Sequence, residues 1–433
     1  MGLESLAVPN GGLAEDEAAI LAAKYQAVRR CTEQLCEPLA VEDYVVQSMP
    51  EASPVKWHLA HTSWFFETFV LLPRLPGYRI FHPHFGSLFN SYYNAVGPQW
   101  PRTQRGLLSR PTVAEVYAYR AHVDEGLARL LQPARRDLLA DVAGTLVLGL
   151  NHEQQHQELI LTDLKHALAG NPLRPVYSRP MGSAGDSPSL EWLTFPAGVV
   201  AIGHEGDGFA FDNESPRHNV YLRGFLLANR PVTNKEYLAF LRDGGYERPE
   251  LWLSDGWAAR QLHGWTSPLY WERQGDDWFV MSLGGLRRLD PAEPVCHVSF
   301  YEGDAFARWA GARLPSEVEW ETATASVPLA GHFLEAKHFH PAAGIAPDDR
   351  GPVFQLYGDV WQWTASSYVG YPGYAPPRGA LGEYNGKFMC NQMVLRGASC
   401  ATPRTHARHT YRNFFSPDAR WQFAGIRLAR DSL

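Results

Sequence analysis

Hydrophobic residues recur at helical spacing through most of the first 170 positions. In Glu15–Cys36 the apolar residues Ile20, Leu21, Tyr25 and Val28 fall on one helical stripe with few breakers between them, which predicts a long helix. A second helix is expected to open at Glu51-Ala52-Ser53-Pro54, with Ser53 as N-cap and Pro54 in the first helical position. It should run through Trp57, Ala60, His61, Trp64, Phe65 and Thr68. Thr112–Leu131 and Arg136–Leu168 supply a third and a fourth. Four long helices in succession predict a four-helix bundle. Leu75–Arg110, between the second and third, is a long loop rich in His, Tyr, Asn and Pro. Loops of that length in compact bundles are functional or disordered, and its aromatics favour an ordered, functional one.

The pattern changes across Pro172–Pro188, where Pro, Ser and Gly appear without periodicity, as in a linker. Beyond it, short strand-like runs alternate with turns, and no fixed-period repeat is visible. Two helices stand out there: Pro231–Leu241, with Thr233 or Asn234 as N-cap, and Tyr301–Ala310, ended by Gly311. The chain therefore divides into a helical domain over residues 14–175 and an α+β domain over 190–433.

Composition narrows the function classes. Lys and Arg number 39 against 46 Asp and Glu, a net charge of −7, which argues against a nucleic-acid partner. The longest apolar runs, such as Leu146–Leu150, are far too short to span a bilayer. The first residues lack the basic and apolar regions of a signal peptide, and Leu6 breaks the myristoylation pattern. The five cysteines are scattered with no C-x-x-C pair, as in a reduced protein. A cytoplasmic location without membrane attachment is the expectation; the oligomeric state is left open. Fourteen tryptophans and 17 histidines point to pocket-rich, irregular packing.

The main chemical signal is Asn151-His152-Glu153-Gln154-Gln155-His156-Gln157-Glu158. His152 and His156, four apart, stack on one helix face, and Gln155 shares their stripe. The opposite side carries Val147, Leu150 and Leu161, so the helix is expected to be buried on more than one face. Buried imidazoles are costly as cations, and sharing a divalent metal removes that cost. A third ligand must come from another helix. His61 is the best candidate, and His58, rotated by roughly 60° from it, is a weaker one. Two other readings of the pair compete: ordinary core histidines, and the H-E-x-x-H of zinc metalloproteases, with Glu153 as general base. The bundle context and the missing downstream third ligand stand against the protease, for which Glu153→Gln would be fatal. In the bundle reading that substitution should be mild.

Longer motifs carry a resemblance. Trp57-His58-Leu59-Ala60-His61-Thr62-x-Trp64-Phe65-Phe66-Glu67, the His152–Glu158 motif, Asn90-Ser91-Tyr92-Tyr93-Asn94-Ala95-Val96-Gly97 and Arg105-Gly106-Leu107-Leu108-Ser109-Arg110-Pro111 resemble the DinB-type bundle of ergothioneine-pathway sulfoxide synthases. Asp212-Asn213-Glu214, Ala310-Gly311-Ala312-Arg313-Leu314-Pro315-Ser316-Glu317-x-Glu319-Trp320-Glu321, Gly358-Asp359-Val360-Trp361-Gln362-Trp363-Thr364 and Gly425-Ile426-Arg427-Leu428-Ala429 resemble formylglycine-generating-enzyme (sulfatase-modifying-factor) domains, which have a C-type-lectin-like core. The resemblance thus implies a DinB-like four-helix bundle followed by a C-type-lectin-like α+β domain, over nearly the whole chain.

The resemblance further implies iron(II) held by His61, His152 and His156. The implied reaction joins the sulfur of cysteine or γ-glutamylcysteine to the imidazole C2 of hercynine (Nα-trimethylhistidine). It uses O2 and leaves a sulfoxide. A cationic metal lowers the thiol pKa, and a tyrosine suits protonation of the oxygen as it is reduced. Tyr92 and Tyr93 sit on the matching loop, with Tyr371 and Tyr374 as runners-up. Asn413, Phe414 and Phe415 match the segment that binds hercynine, whose trimethylammonium needs aromatic faces. Gln155 is expected to hydrogen-bond the imidazole, and Arg102, Arg105 and Arg420 are candidates for the thiol substrate's carboxylate. Three alternatives remain. A 5-histidylcysteine sulfoxide synthase of the ovothiol pathway shares both domains, commonly with a methyltransferase domain not seen in these 433 residues. A formylglycine-generating enzyme needs a closely spaced copper-holding cysteine pair, and Cys390 and Cys400 are ten apart. A lectin-like binding module has little use for three converging imidazoles.

Overall fold

The computed structural model describes residues 15–179, 185–344 and 353–432. The chain forms two compact units. One holds the residues up to Ala167 together with Arg378–Tyr384, and the other holds Leu168–Pro377 and Asn385–Leu433. A short stretch from late in the sequence therefore folds with the helical unit, which a plain two-block division of the sequence does not anticipate.

The helical unit is built on α1 (Glu15–Cys36), α2 (Val55–Phe66), α3 (Val113–Leu130) and α4 (Ala143–Gly170). Every residue of α2 is buried. Its sequence, apolar or aromatic on all sides, suits a central helix rather than a surface one. Ser53 does not cap it. Pro54 occupies the N-cap with extended backbone and no side-chain cap bond, while the Ser53 hydroxyl accepts a bond from Arg105 Nη1 at 2.9 Å. Beyond Phe66 the helix continues as one π-helical turn, Glu67–Leu71, whose Glu67 carboxylate accepts from the Tyr119 and Tyr78 hydroxyls at 2.7 and 2.8 Å. Thr112 caps α3 and shares a reciprocal capping box with Glu115. The expected single helix over Arg136–Leu168 is broken: Arg136–Ala140 is separate, and α4 starts at Ala143. Asp141, Val142 and Gly144 are weak helix formers, and tertiary packing of Leu139 and Val142 sets the turn. The long loop is ordered, with a short helix at Phe85–Leu88 and a 3-10 turn at Arg102–Leu107.

One arginine ties the four helices together. Arg29 on α1 donates to Ser63 Oγ on α2 (3.1 Å), Asp124 Oδ1 on α3 (2.8 Å) and Glu153 Oε2 on α4 (3.0 Å). Arg120 on α3 reaches the other Glu153 oxygen at 3.1 Å, and Thr32 donates to it at 2.7 Å.

In the second unit Trp192–Phe195, Phe225–Ala228 and Ala429–Asp431 form one sheet with Phe225–Ala228 in the middle. A four-stranded sheet runs in the order Asn413–Phe415, Met393–Arg396, Trp361–Ser367, Ala424–Gly425. The remaining strands include the hairpin of Gly198–Ile202 with His218–Leu222 and the meander over Trp271–Arg288. The helices begin where capping signals lie. Asn234–Arg242 is capped by Thr233 with Glu236, and Phe300–Trp309 by Ser299 with Glu302. Among the described residues no helix is long and apolar enough to cross a membrane.

Candidate active site and metal centre

His61 from α2 and His152 and His156 from α4 converge in the core of the helical unit, with relative exposures of 0%, 2% and 7%. The His152 Nε2 atom lies 3.2 Å from His61 Nε2 and 3.1 Å from His156 Nε2. Three nitrogens each about 2.1 Å from one ion would be spaced roughly 3.0–3.4 Å apart, so the separations fit a shared divalent metal. His61 Nδ1 donates to the Phe89 carbonyl at 2.6 Å, which leaves its Nε2 lone pair aimed at the other two. Burial pushes the pKa of all three imidazoles down, that of His152 to about 3, with the neighbouring histidines adding to the shift for His61 and His156. They are thus held in the neutral form that binds metals.

Aromatic rings fix the ligands. Trp57 and Trp64 stack on either side of His61, with ring centroids at 4.5 and 5.5 Å, and Phe65 packs 4.8 Å from His152. Glu153, adjacent to His152 in sequence, faces the opposite way. Burial would raise its carboxyl, but Arg29 and Arg120 overcome that and hold it at about 2. A carboxylate with both oxygens committed to two buried arginines is not a metalloprotease base. The protease reading is set aside on this geometry.

The loop tyrosines lie within the same unit. Tyr93 is fully buried among Trp64, Phe65 and Phe69, and Tyr92 packs against it at 4.7 Å. Burial raises both phenols. Tyr93 partly counters this for Tyr92, whereas Tyr92 raises Tyr93 further. The sequence reading missed a third tyrosine. Tyr384, in the late segment that joins this unit, lies 5.6 Å from the His152 ring and 6.3 Å from Tyr92, and its hydroxyl donates to Gln155 Oε1. Glu383 beside it accepts the backbone N–H groups of Asn94 and Ala95 at 3.0 and 2.8 Å, pinning the segment to the Tyr92–Tyr93 loop. No periodic pattern marks Gly382-Glu383-Tyr384, so only tertiary structure reveals it. Tyr371 and Tyr374 belong to the other unit, where their hydroxyls donate to Glu317 (3.4 Å) and Asp212 (2.8 Å).

The three arginines are already engaged. Arg105 lies over Trp57 at 3.4 Å and donates to Ser53 and Ser91, keeping a buried Nε without a partner. Arg102 donates to the Glu51 carbonyl. Arg420, in the second unit, pairs with Glu302 at 2.9 Å and likewise keeps an unpartnered Nε. In that unit Asn413, Phe414 and Phe415 form an edge strand, with Val394 opposite Phe414. Phe414 stacks face to face on Tyr368 at 4.0 Å with Phe388 nearby, and Phe415 meets Trp421 edge-on. Cys390 is exposed and Cys400 buried, and neither forms a disulfide.

Comparison with known proteins bears on what this centre belongs to. Residues 24–160 match the DinB superfamily, and residues 181–350 and 334–432 match the sulfatase-modifying factor enzyme 1-like domain. A hercynine oxygenase of Mycolicibacterium thermoresistibile is 32% identical over 413 residues, covering 88% of this chain and 88% of the relative. One from Mycolicibacterium smegmatis is also 32% identical, over 89% of this chain and 92% of the relative. The chain belongs to the hercynine oxygenase family. As a member of that family it is an oxidoreductase, with a DinB-type helical unit followed by a mixed helix-and-strand unit. A formylglycine-generating enzyme of Bos taurus is 25% identical over 61% of this chain, a likeness that the hercynine oxygenases exceed in both identity and coverage.

Proposed function

We propose that the protein is an iron(II)- and O2-dependent sulfoxide synthase of ergothioneine biosynthesis, joining the sulfur of cysteine or γ-glutamylcysteine to the imidazole C2 of hercynine. The convergence of three neutral Nε2 lone pairs from His61, His152 and His156 carries this reading. Thiol, hercynine C–H and O2 together give sulfoxide and one water, so the substrates supply all four electrons. Iron held by the three histidines would supply a Lewis acid for the thiol and a redox partner for O2, with coordination positions left for substrates.

The protein's own groups do the rest. Gln155, held by Tyr384, offers its amide to the hercynine imidazole. The segment Asn413, Phe414 and Phe415, which the resemblance assigns to hercynine, carries aromatic rings of the kind that attract a trimethylammonium, which donates no hydrogen bond. One of Arg102, Arg105 and Arg420 takes the thiol substrate's carboxylate, and Arg105 and Arg420 each keep a buried Nε without a hydrogen-bond partner. Tyr92 delivers a proton to the oxygen being reduced, since it is only half-buried, whereas Tyr93 is enclosed among Trp64, Phe65 and Phe69. A steady-state assay under O2, offering hercynine with each thiol and weighing the product, tests the reaction and selects the sulfur donor. No sulfoxide with either thiol would overturn the proposal.

Two expectations follow within this reading. Hercynine should be favoured over histidine by about 1–2 kcal/mol, or about tenfold in kcat/KM, from the trimethylammonium–aromatic contact. Equal kinetics for histidine would favour the ovothiol-type reaction instead. Tyr92→Phe should bind metal normally yet lose about 10²–10⁴ in sulfoxide formation, with part of the thiol diverted to sulfinic acid. Tyr93→Phe should keep the wild-type product ratio. If Tyr92→Phe behaves like wild type, the donor is Tyr93 or Tyr384, and the same product analysis of their Phe variants decides between them.

A further inference from the structure

His58 and Asp163 take no part in the chemistry proposed above, yet both are buried beside the ligands. His58 sits three residues before His61 on α2 and turns toward α4 instead of the metal centre. Its Nδ1 lies 2.8 Å from His156 Nδ1, and its Nε2 lies 3.1 Å from Asp163 Oδ2. The Ser53 backbone N–H donates to the same Asp163 oxygen at 2.8 Å. His58, His156 and Asp163 are 2%, 7% and 5% exposed.

We propose that Asp163 and His58 form a positioning relay that fixes the tautomer of His156, so that its Nε2 presents a lone pair to the metal. The inference rests on the reading of His61, His152 and His156 as metal ligands. A carboxylate only accepts, so the His58 nitrogen facing Asp163 carries a hydrogen. Of the two His58 nitrogens only Nδ1 is then left to accept a hydrogen bond. Two ring nitrogens 2.8 Å apart share one hydrogen, and a His156 that meets the metal through Nε2 carries its hydrogen on Nδ1 and donates it to His58. His156 is left with a bare Nε2, directed at His152 Nε2 3.1 Å away. Each bond dictates the next, and the Ser53 N–H holds the acceptor at the head of the chain.

The three ligands are anchored differently from behind. His61 Nδ1 donates to a backbone carbonyl, which no side-chain substitution removes, and the buried His152 Nδ1 has no hydrogen-bond partner. The His156 anchor is made of side chains and can be tested by substitution. Outer partners of this kind orient the ring and raise ligand basicity, and their loss typically costs 10–100-fold in metal affinity.

The test is titration of the chelator-treated full-length chain with cobalt(II), read from its visible absorption. His58→Leu fills the site without an acceptor and should bind cobalt roughly 10–100-fold more weakly than wild type. His58→Asn returns an acceptor oxygen near the lost Nδ1 and should recover most of that affinity. A packing role would give the reverse order, because a buried amide fits an apolar gap worse than leucine does. Asp163→Ala, which frees His58 to take the wrong tautomer, should weaken binding to the same degree and serves if His58→Leu fails to fold. Wild-type affinity in His58→Leu or Asp163→Ala, or tighter binding by Leu than by Asn, overturns the relay. A wild-type chain that takes up no cobalt overturns the metal reading itself, and the relay with it.

Discussion

Replacing His152 by alanine should leave a folded chain that takes up no stoichiometric metal and makes no product. Its Nε2 is the atom that both other ligands approach, at 3.2 and 3.1 Å, so its loss leaves His61 and His156 as an incomplete pair on different helices. Losing a direct ligand should exceed the roughly 10–100-fold cost of removing an outer partner. The fold should survive, because His152 makes none of the Arg29 or Arg120 bonds that join the helices. Metal content after anaerobic loading with iron(II), measured beside thermal unfolding, separates the two effects. Unchanged iron and rate would exclude His152 from the centre. Tight zinc with peptidase activity in the wild-type protein would restore the metalloprotease reading.

The histidine cluster was legible in the sequence because its signal is local. His152 and His156 lie four apart within one helix, and helical spacing alone places them on one face. His61 was legible as a partner because a bundle metal site needs a ligand from a second helix and His61 shares its stripe with Trp57 and Trp64. The rest of the site depends on contacts between distant segments, which periodicity does not encode. Tyr384 reaches Gln155 across more than 200 residues of sequence, held by two backbone N–H groups of the Tyr92–Tyr93 loop. Ser53 has the chemistry of an N-cap, but Arg105 claims its hydroxyl, and the helix starts without it. His58 carries ligand chemistry at a helical offset from His61 that rotates it onto His156 and Asp163 instead. The break before α4 likewise reflects weak local propensity giving way to the packing of Leu139 and Val142. In the second unit Thr233 was legible as the cap of Asn234–Arg242, whereas the Ser316-capped helix Glu317–Thr324 and the strand order were not read from the sequence.

Glu153→Gln should destabilise the helical unit severely, although the sequence alone expects a mild effect. Glu153 looks dispensable when only its place in H-E-x-x-H is considered. In the structure its side chain is fully buried and accepts from Arg29, Arg120 and Thr32, on two other helices. Arg29 and Arg120 are themselves 3% and 1% exposed. Glutamine keeps the shape but removes the charge that balances two guanidinium groups, and its amide N–H₂ must face one of them. Breaking a buried pair from one side costs about 3–5 kcal/mol, and the partly exposed Asp124 beside Arg29 and Glu33 beside Arg120 replace the lost charge only in part. For a unit of this size that is a fall in melting temperature on the order of 10 °C. Thermal unfolding of the metal-free protein measures it without involving the active centre. Well below the melting temperature the folded variant should still bind cobalt(II), since His61, His152 and His156 are untouched. Adding Arg120→Met should recover part of the loss by removing one of the stranded charges, whereas a catalytic base would gain nothing from it. An unchanged melting temperature in Glu153→Gln would mean that the arginines find other acceptors, and that Glu153 is not what joins α4 to α1 and α3.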